Sequence, residues 1–203
     1  KPGEYQVTVS ATDLERATGS AICKVIVKEA VTESYNPNSS EFKSAVASNM
    51  VALVNQHRVA NGKPAATHES RLDGLANSWS KYMADNNFFD HVAPGGETAN
   101  SVFPSYGTTS AENIVLIQFK CTGDMGQDAQ KLANQLFSMW KNSSAHNASM
   151  LGDYNNLFGF GFHAVQVSEG SPNWSIYATQ EFDYKWSPDA PKDDVKKEEA
   201  PQV

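Results

Sequence analysis

The sequence predicts an α+β chain: a three-layer α-β-α sandwich around a short antiparallel sheet, with a β-hairpin ahead of it. Three observations predict it. Three long segments carry apolar residues at helical spacing, two segments near the C-terminal end alternate apolar with polar residues across a turn, and a separate alternating pair stands at the start of the chain.

The elements follow in order. In residues 1–30, Tyr5, Val7, Val9 and Ala11 alternate with polar residues, Asp13 to Gly19 is turn-like, and Ala21, Cys23, Val25 and Val27 alternate again. Two strands cannot bury a face by themselves. The run Pro2-Gly3-Glu4-Tyr5-Gln6-Val7-Thr8-Val9-Ser10-Ala11-Thr12-Asp13 resembles the closing strands of immunoglobulin-like modules of bacterial surface proteins. The resemblance implies that the hairpin is the remnant of a preceding module, whose open edges offer a route to self-association. Residues 31–40, with Pro37 and Asn38, read as a linker.

A domain is expected over residues 41–184. From Glu41 to Asn61, Phe42, Val46, Met50, Leu53, Val54 and His57 fall on one helical stripe, with Ser39 or Ser40 as N-cap and Gly62 and Pro64 as stop signals. A second helix, about Ser70 to Asn87, buries Leu72, Leu75, Ala76, Trp79, Tyr82 and Met83. It leads into Phe88-Phe89-Asp90-His91-Val92-Ala93-Pro94-Gly95-Gly96, where the phenylalanines anchor the segment and the proline and glycines turn it, holding His91 at the mouth of a loop. A turn-rich loop then reaches Ala111-Glu112-Asn113-Ile114. A third helix, about Asp124 to Asn142, directs Leu132, Leu136, Met139 and Trp140 inward, and Ser143-Ser144 caps a short turn carrying His146. Leu157 to Val167 and Trp174 to Phe182 alternate and form an antiparallel pair. Residues 185–203 alternate proline with charge, hold almost no apolar residues, and read as a disordered charged spacer.

Composition excludes some functions. A net charge of −7 and a pI near 5.2 are the wrong sign for a domain that grips nucleic-acid phosphates. No run is long enough to insert in a membrane. Two cysteines, Cys23 and Cys121, give no disulfide framework; both sit in apolar alternating contexts and read as buried free thiols, with one bridge left open. The chain opens at Lys1 inside a strand pattern without an initiator Met or signal peptide, and reads as a piece of a longer one. No Gly-x-Ser-x-Gly elbow or cysteine-protease signature surrounds Ser143, Ser144 or Cys121.

The ordered set Val54-Asn55-Gln56-His57-Arg58, Phe88 to Gly96, Ala111-Glu112-Asn113-Ile114, Trp140 to Leu151, Phe158 to Phe162 and Tyr177-Ala178-Thr179-Gln180 resembles the bacterial branch of the CAP superfamily, the SCP-like extracellular relatives of cysteine-rich secretory, antigen-5 and pathogenesis-related proteins. The resemblance implies a cleft lined by His91, Glu112 and His146. Tyr177 takes the place where the eukaryotic branch carries a histidine, and its phenol is a poor zinc ligand near neutral pH. Imidazoles suit a borderline cation such as zinc, so His91 and His146 are the expected metal ligands, with Glu112 behind them. A polar network in which Glu112 fixes one histidine's tautomer and nothing is bound is equally open. His57, His68 and His163 read as structural or solvated, and Asp90 as either an imidazole orienter or a turn cap.

Three functions are compatible with this set. The first is a secreted or cell-surface module of a Gram-positive-type bacterium, binding a metal, peptide, lipid or small ligand in the cleft. The second is a metal-assisted, peptidase-like hydrolase with Glu112 as general base. The third is an adhesion spacer.

Overall fold

The structure is a computed structural model of the chain, and it describes residues 3–12, 18–27 and 35–185. The expected turn around 13–17, most of the 31–40 linker and the charged tail from 186 lie outside the described residues. The chain divides into two units, residues 1–34 and 35–203. In the first, β1 (Gly3–Thr12) and β2 (Thr18–Val27) pair antiparallel in continuous register from Gly3 opposite Val27 to Thr12 opposite Thr18.

In the second unit, α1 (Ser40–Ala60) starts where the Ser39 side chain accepts from the Phe42 N–H. It buries Phe42, Val46, Met50, Val54 and Arg58, with Leu53 and His57 only half-buried at the stripe's border. A two-residue strand, β3 (Thr67–His68), precedes α2 (Ser70–Asp85), whose buried stripe is the expected one apart from a half-buried Tyr82. After a short α3 (Ala99–Val102) come β4 (Ala111–Lys120), α4 (Met125–Asn142), α5 (Ser144–Leu151), β5 (Leu157–Gln166) and β6 (Asn173–Asp183).

The sheet runs β3-β5-β6-β4. Its three long strands are antiparallel and β3 adds one short parallel pairing to β5. Helices α1 and α4 cover one face. There Phe158, Phe160 and Phe162 of β5, with Val115, Ile117 and Phe119 of β4, pack against Phe42, Met50, Leu136 and Trp140. Helix α2 covers the other face at Gly159 and Gly161, where a Cβ would stand 2.3 Å from Leu72 Cβ and 2.3 Å from the Asn77 backbone nitrogen respectively. The glycines therefore set how closely α2 approaches the sheet. The α-β-α sandwich expected from the sequence is present, with two strands, β3 and β4, that the alternation did not reveal.

Two inward assignments are corrected. Met139 is 45% exposed, because the buried stripe of α4 is Ala129, Leu132, Ala133, Leu136, Phe137 and Trp140, and Met139 lies one position off it. Phe89 is 43% exposed; Phe88 alone anchors the segment, edge-on to both Trp79 and Tyr82. Cys121 is a free, half-buried thiol whose pKa burial pushes up.

Candidate functional site

The segment carrying His91 is fixed from both sides. Helix α2 is capped by Asn86, Asn87 takes a left-handed conformation, and the Phe88 N–H returns to the Met83 carbonyl. Beyond His91 the chain folds back on itself: Val92 bridges Thr98, Ala93 N–H donates to Glu97 O at 2.8 Å, and Gly96 takes a φ of 93° that favours glycine. Ala93 is buried in the small core of Leu75, Trp79, Met83, Ala99 and Ile114. His91 thus rides on a short clamped loop with its side chain half-exposed. Asp90 takes the turn role, its carboxylate accepting from the Val92 N–H at 3.4 Å.

Strand β4 supplies the partners, through two consecutive residues. Neighbouring strand side chains point to opposite faces. Glu112 points to the α2 face, and its Oε1 lies 2.5 Å from His91 Nδ1. Asn113 points to the α1/α4 face, and its Nδ2 donates to the His146 carbonyl at 3.0 Å and to Gln180 Oε1 at 3.0 Å. β4 is an outer strand of the sheet, and it holds His91 through Glu112 and the His146 carbonyl through Asn113, near enough that the His91 charge acts on His146.

Helix α5, which carries His146, is pinned from beneath. Arg58 is buried; its Nη1 donates to the carbonyls of Met150 at 2.7 Å and Gly152 at 3.2 Å, and its Nε to Pro64 O at 2.8 Å. Asn147 Oδ1 lies 2.7 Å from His57 Nε2, and the His57 ring stands edge-on to Phe137. His57 is thus a packing and bracing residue.

The two cleft histidines are pushed in opposite directions. The hydrogen bond to Glu112 raises the His91 pKa, against a smaller opposing effect of burial. Burial lowers that of His146, and the nearby His91 charge lowers it further. The arrangement favours the charged form of His91 and the neutral form of His146.

A residue that sequence reasoning missed lies behind Glu112. Glu181 of β6 is its direct cross-strand neighbour, fully buried, and neither carboxyl oxygen has a hydrogen-bond partner among the described residues. Burial, and then the Glu112 charge, push its pKa up to about 10, so it is held as the neutral acid.

Tyr177 stands apart from these groups. It lies opposite Leu116 and His163 in register and packs against the small core beneath the His91 loop, with no hydrogen bond to His91, Glu112 or His146 among the described residues. His163 is lowered by burial and by Lys43 and Lys81, which places it in a different electrostatic neighbourhood. His68 is exposed on β3 and pairs with Asp73.

Among the described residues no three His, Cys, Asp or Glu side chains converge as metal ligands; the Glu112 bond occupies Nδ1 of His91 and leaves its Nε2 free. Two imidazoles fall short of the three or four protein ligands of zinc sites. As arranged, His91 and His146 supply two candidate ligands, with Glu112 hydrogen-bonded behind His91.

The model of the cysteine-rich secretory protein family, CAP, matches residues 51–182. No curated protein sequence matches the chain significantly. Among solved structures, an outer surface protein of Borrelia burgdorferi aligns with a TM-score of 0.50 at 11% identity, covering 74% of this chain and 97% of that one. An extracellular SCP-domain protein of Bacillus anthracis aligns with a TM-score of 0.50 at 20% identity, covering 74% of this chain and 45% of that one. These likenesses bear on the fold.

Proposed function

This chain belongs to the cysteine-rich secretory protein family, CAP, and from that premise we propose that it is an extracellular bacterial ligand-binding module. Its cleft takes a carboxylate or similarly polar group of a peptide or small ligand between His91 and His146. The observation that carries the reading is the His91–Glu112 pair beside a second imidazole biased the other way. A cationic imidazole donates to an anionic group, and a neutral one accepts a proton or hydrogen bond from it; environments that split two like groups mark a site with two roles. Neutral Glu181 behind Glu112 keeps the local negative charge to one carboxylate, so an incoming anion meets less repulsion than two ionised glutamates would impose. The extracellular setting rests on the family and on the extracellular and outer-surface descriptions of the aligned proteins.

A hydrolase with Glu112 as general base finds less support, since the Glu112 carboxylate is engaged by His91. The test is NMR of the imidazole resonances during titration with N-acetyl-dialanine, a minimal peptide carboxylate. We expect saturable shifts at His91 and His146 that His91→Ala abolishes. Zinc titration by calorimetry is run in parallel. Tight zinc binding lost in His91→Ala, with no response to the carboxylate, overturns this reading in favour of a metal centre.

A further inference from the structure

A second feature lies away from the histidine cleft, on the β3–β5 side of the sheet, whereas the cleft borders β4. A cavity of about 490 Å³ opens there between α1 and α2, a volume within the range of small-molecule sites. Phe160 and Phe162 close its floor and are buried in the core, so what a ligand meets is the side chains of the walls. Helix α1 contributes Lys43, Ala47 and Ser48; opposite stand Asp73 and Asn77 of α2, with His68 of β3. At Gly161 a Cβ would lie 2.3 Å from the Asn77 backbone nitrogen, so the α2 wall is fixed against the sheet.

The polar groups of these walls are unevenly satisfied. Lys43 Nζ donates to Asn77 Oδ1 at 3.1 Å and stands 5.5 Å from the Phe162 ring centroid, and no carboxylate pairs with it among the described residues. An ammonium has three N–H donors, so two remain for a ligand. Burial and the Lys81 charge lower the Lys43 pKa, as expected of a partly desolvated cation without a counter-charge. Asn77 is fully used, because its Nδ2 donates to the Asp73 carbonyl at 2.9 Å. Asp73 is oriented but not exhausted. Its Oδ1 accepts from the Phe160 N–H at 2.8 Å, and its two oxygens lie 2.9 and 2.8 Å from His68 Nε2. A carboxylate has about four acceptor sites, so Oδ2 keeps room for a hydroxyl donor. Ser48 Oγ donates to the Ser44 carbonyl at 2.9 Å and is likewise left as an acceptor.

We propose that this groove binds a sugar acid, a small hydroxylated monocarboxylate, with its carboxylate on Lys43 and its hydroxyl groups donating to Asp73 and Ser48. The charges set the class. One unneutralised ammonium calls for one anionic group, and the Asp73 carboxylate in the same groove repels a second negative charge. The acceptors at Asp73 and Ser48 call for hydroxyl donors. A hydrocarbon acid has none, and covering those acceptors with an alkyl chain would leave them unpaired. Ala47, one helical turn beyond Lys43, presents only a methyl group and leaves room for a sugar ring.

The experiment is amide NMR of the full chain titrated with D-glucuronate, D-galacturonate and D-mannuronate, with glucose and acetate as controls. We expect at least one uronate to give saturable shifts at Lys43, Ser48, Asp73 and Asn77, with binding about tenfold tighter than that of either control. Lys43→Met should remove the preference over glucose while leaving the melting temperature near wild type, and Lys43→Arg should restore it. Ala47→Phe, which fills the groove and leaves every polar group in place, should block binding there. Repeating the titration on His91→Ala reads the groove apart from the histidine cleft: the groove shifts should persist where a carboxylate response of the cleft is lost. The proposal is overturned if no uronate shifts the groove amides, if either control binds as tightly as the uronates, or if Lys43→Met or Ala47→Phe binds them as the wild type does.

Discussion

Replacing Glu181 with glutamine isolates the least ordinary group in the molecule. Glu181 is fully buried, faces Glu112 across the β4–β6 ladder, and its pKa is pushed up to about 10 from the ordinary 4.5. Below pH 4.5 the acid is protonated in both the folded and the unfolded chain and costs nothing. As pH rises above 4.5 the unfolded chain releases the proton and the folded chain keeps it, so unfolding is favoured by about 1.4 kcal/mol per pH unit, until the folded-state pKa is reached. From pH 5 to pH 7 the wild type should therefore lose roughly 2 to 3 kcal/mol relative to Glu181→Gln, a large part of the ~5–15 kcal/mol stability of an ordinary domain. Glutamine has nearly the same shape and no charge to ionise. Other titrations are common to both proteins, including His91, whose raised pKa also removes stability as pH rises above its unfolded value. The assay is urea unfolding of both proteins at pH 5, 6 and 7, comparing midpoints at equal slope. Parallel pH profiles for the two proteins would refute the reasoning, because they would mean that Glu181 titrates alike in the folded and unfolded chains.

The cleft histidines should titrate apart by NMR, His91 above and His146 below the ordinary 6.5; Glu112→Gln should bring His91 down, and His91→Ala should bring His146 up by removing a like charge. Gly161→Ala drives a methyl group into the α2 backbone at Asn77 and should cost about 3 kcal/mol or more in chemical denaturation. Arg58→Met leaves the Met150 and Gly152 carbonyls without their donor and should lower stability by about 3 kcal/mol. It should also broaden the His146 resonance as α5 loosens. Asn113→Leu keeps a similar side-chain volume but releases the His146 carbonyl, and should move the His146 pKa without moving that of His91.

The helices were legible because each buries one stripe and leaves the rest in water, which writes a 3.6-residue period into the chain: Phe42, Val46, Met50 and Val54 in one, Leu72, Leu75, Ala76, Trp79 and Met83 in another. Strand β4 was not legible for the opposite reason. Ile114, Val115 and Ile117 are all buried because both faces of β4 are covered, so the two-residue alternation that announces a strand is absent. Two-residue β3 carries no pattern at all. Missing β4 also concealed Glu181. In β6 the alternation puts Ser175, Tyr177, Thr179 and Glu181 on one face, and with no strand beside it that face reads as solvent. Once β4 is paired in register, the same alternation sets Glu181 directly against Glu112 and beneath α2, where a carboxyl cannot stay charged cheaply. His91, Glu112 and His146 came from family resemblance, since no local spacing links residues 21 and 34 positions apart. What joins them is a physical property of one outer strand, the opposite directions of the Glu112 and Asn113 side chains. The recognisable Ala111-Glu112-Asn113-Ile114 stretch therefore has two roles at adjacent positions: its glutamate sets the protonation of one histidine, and its asparagine sets the placement of the other.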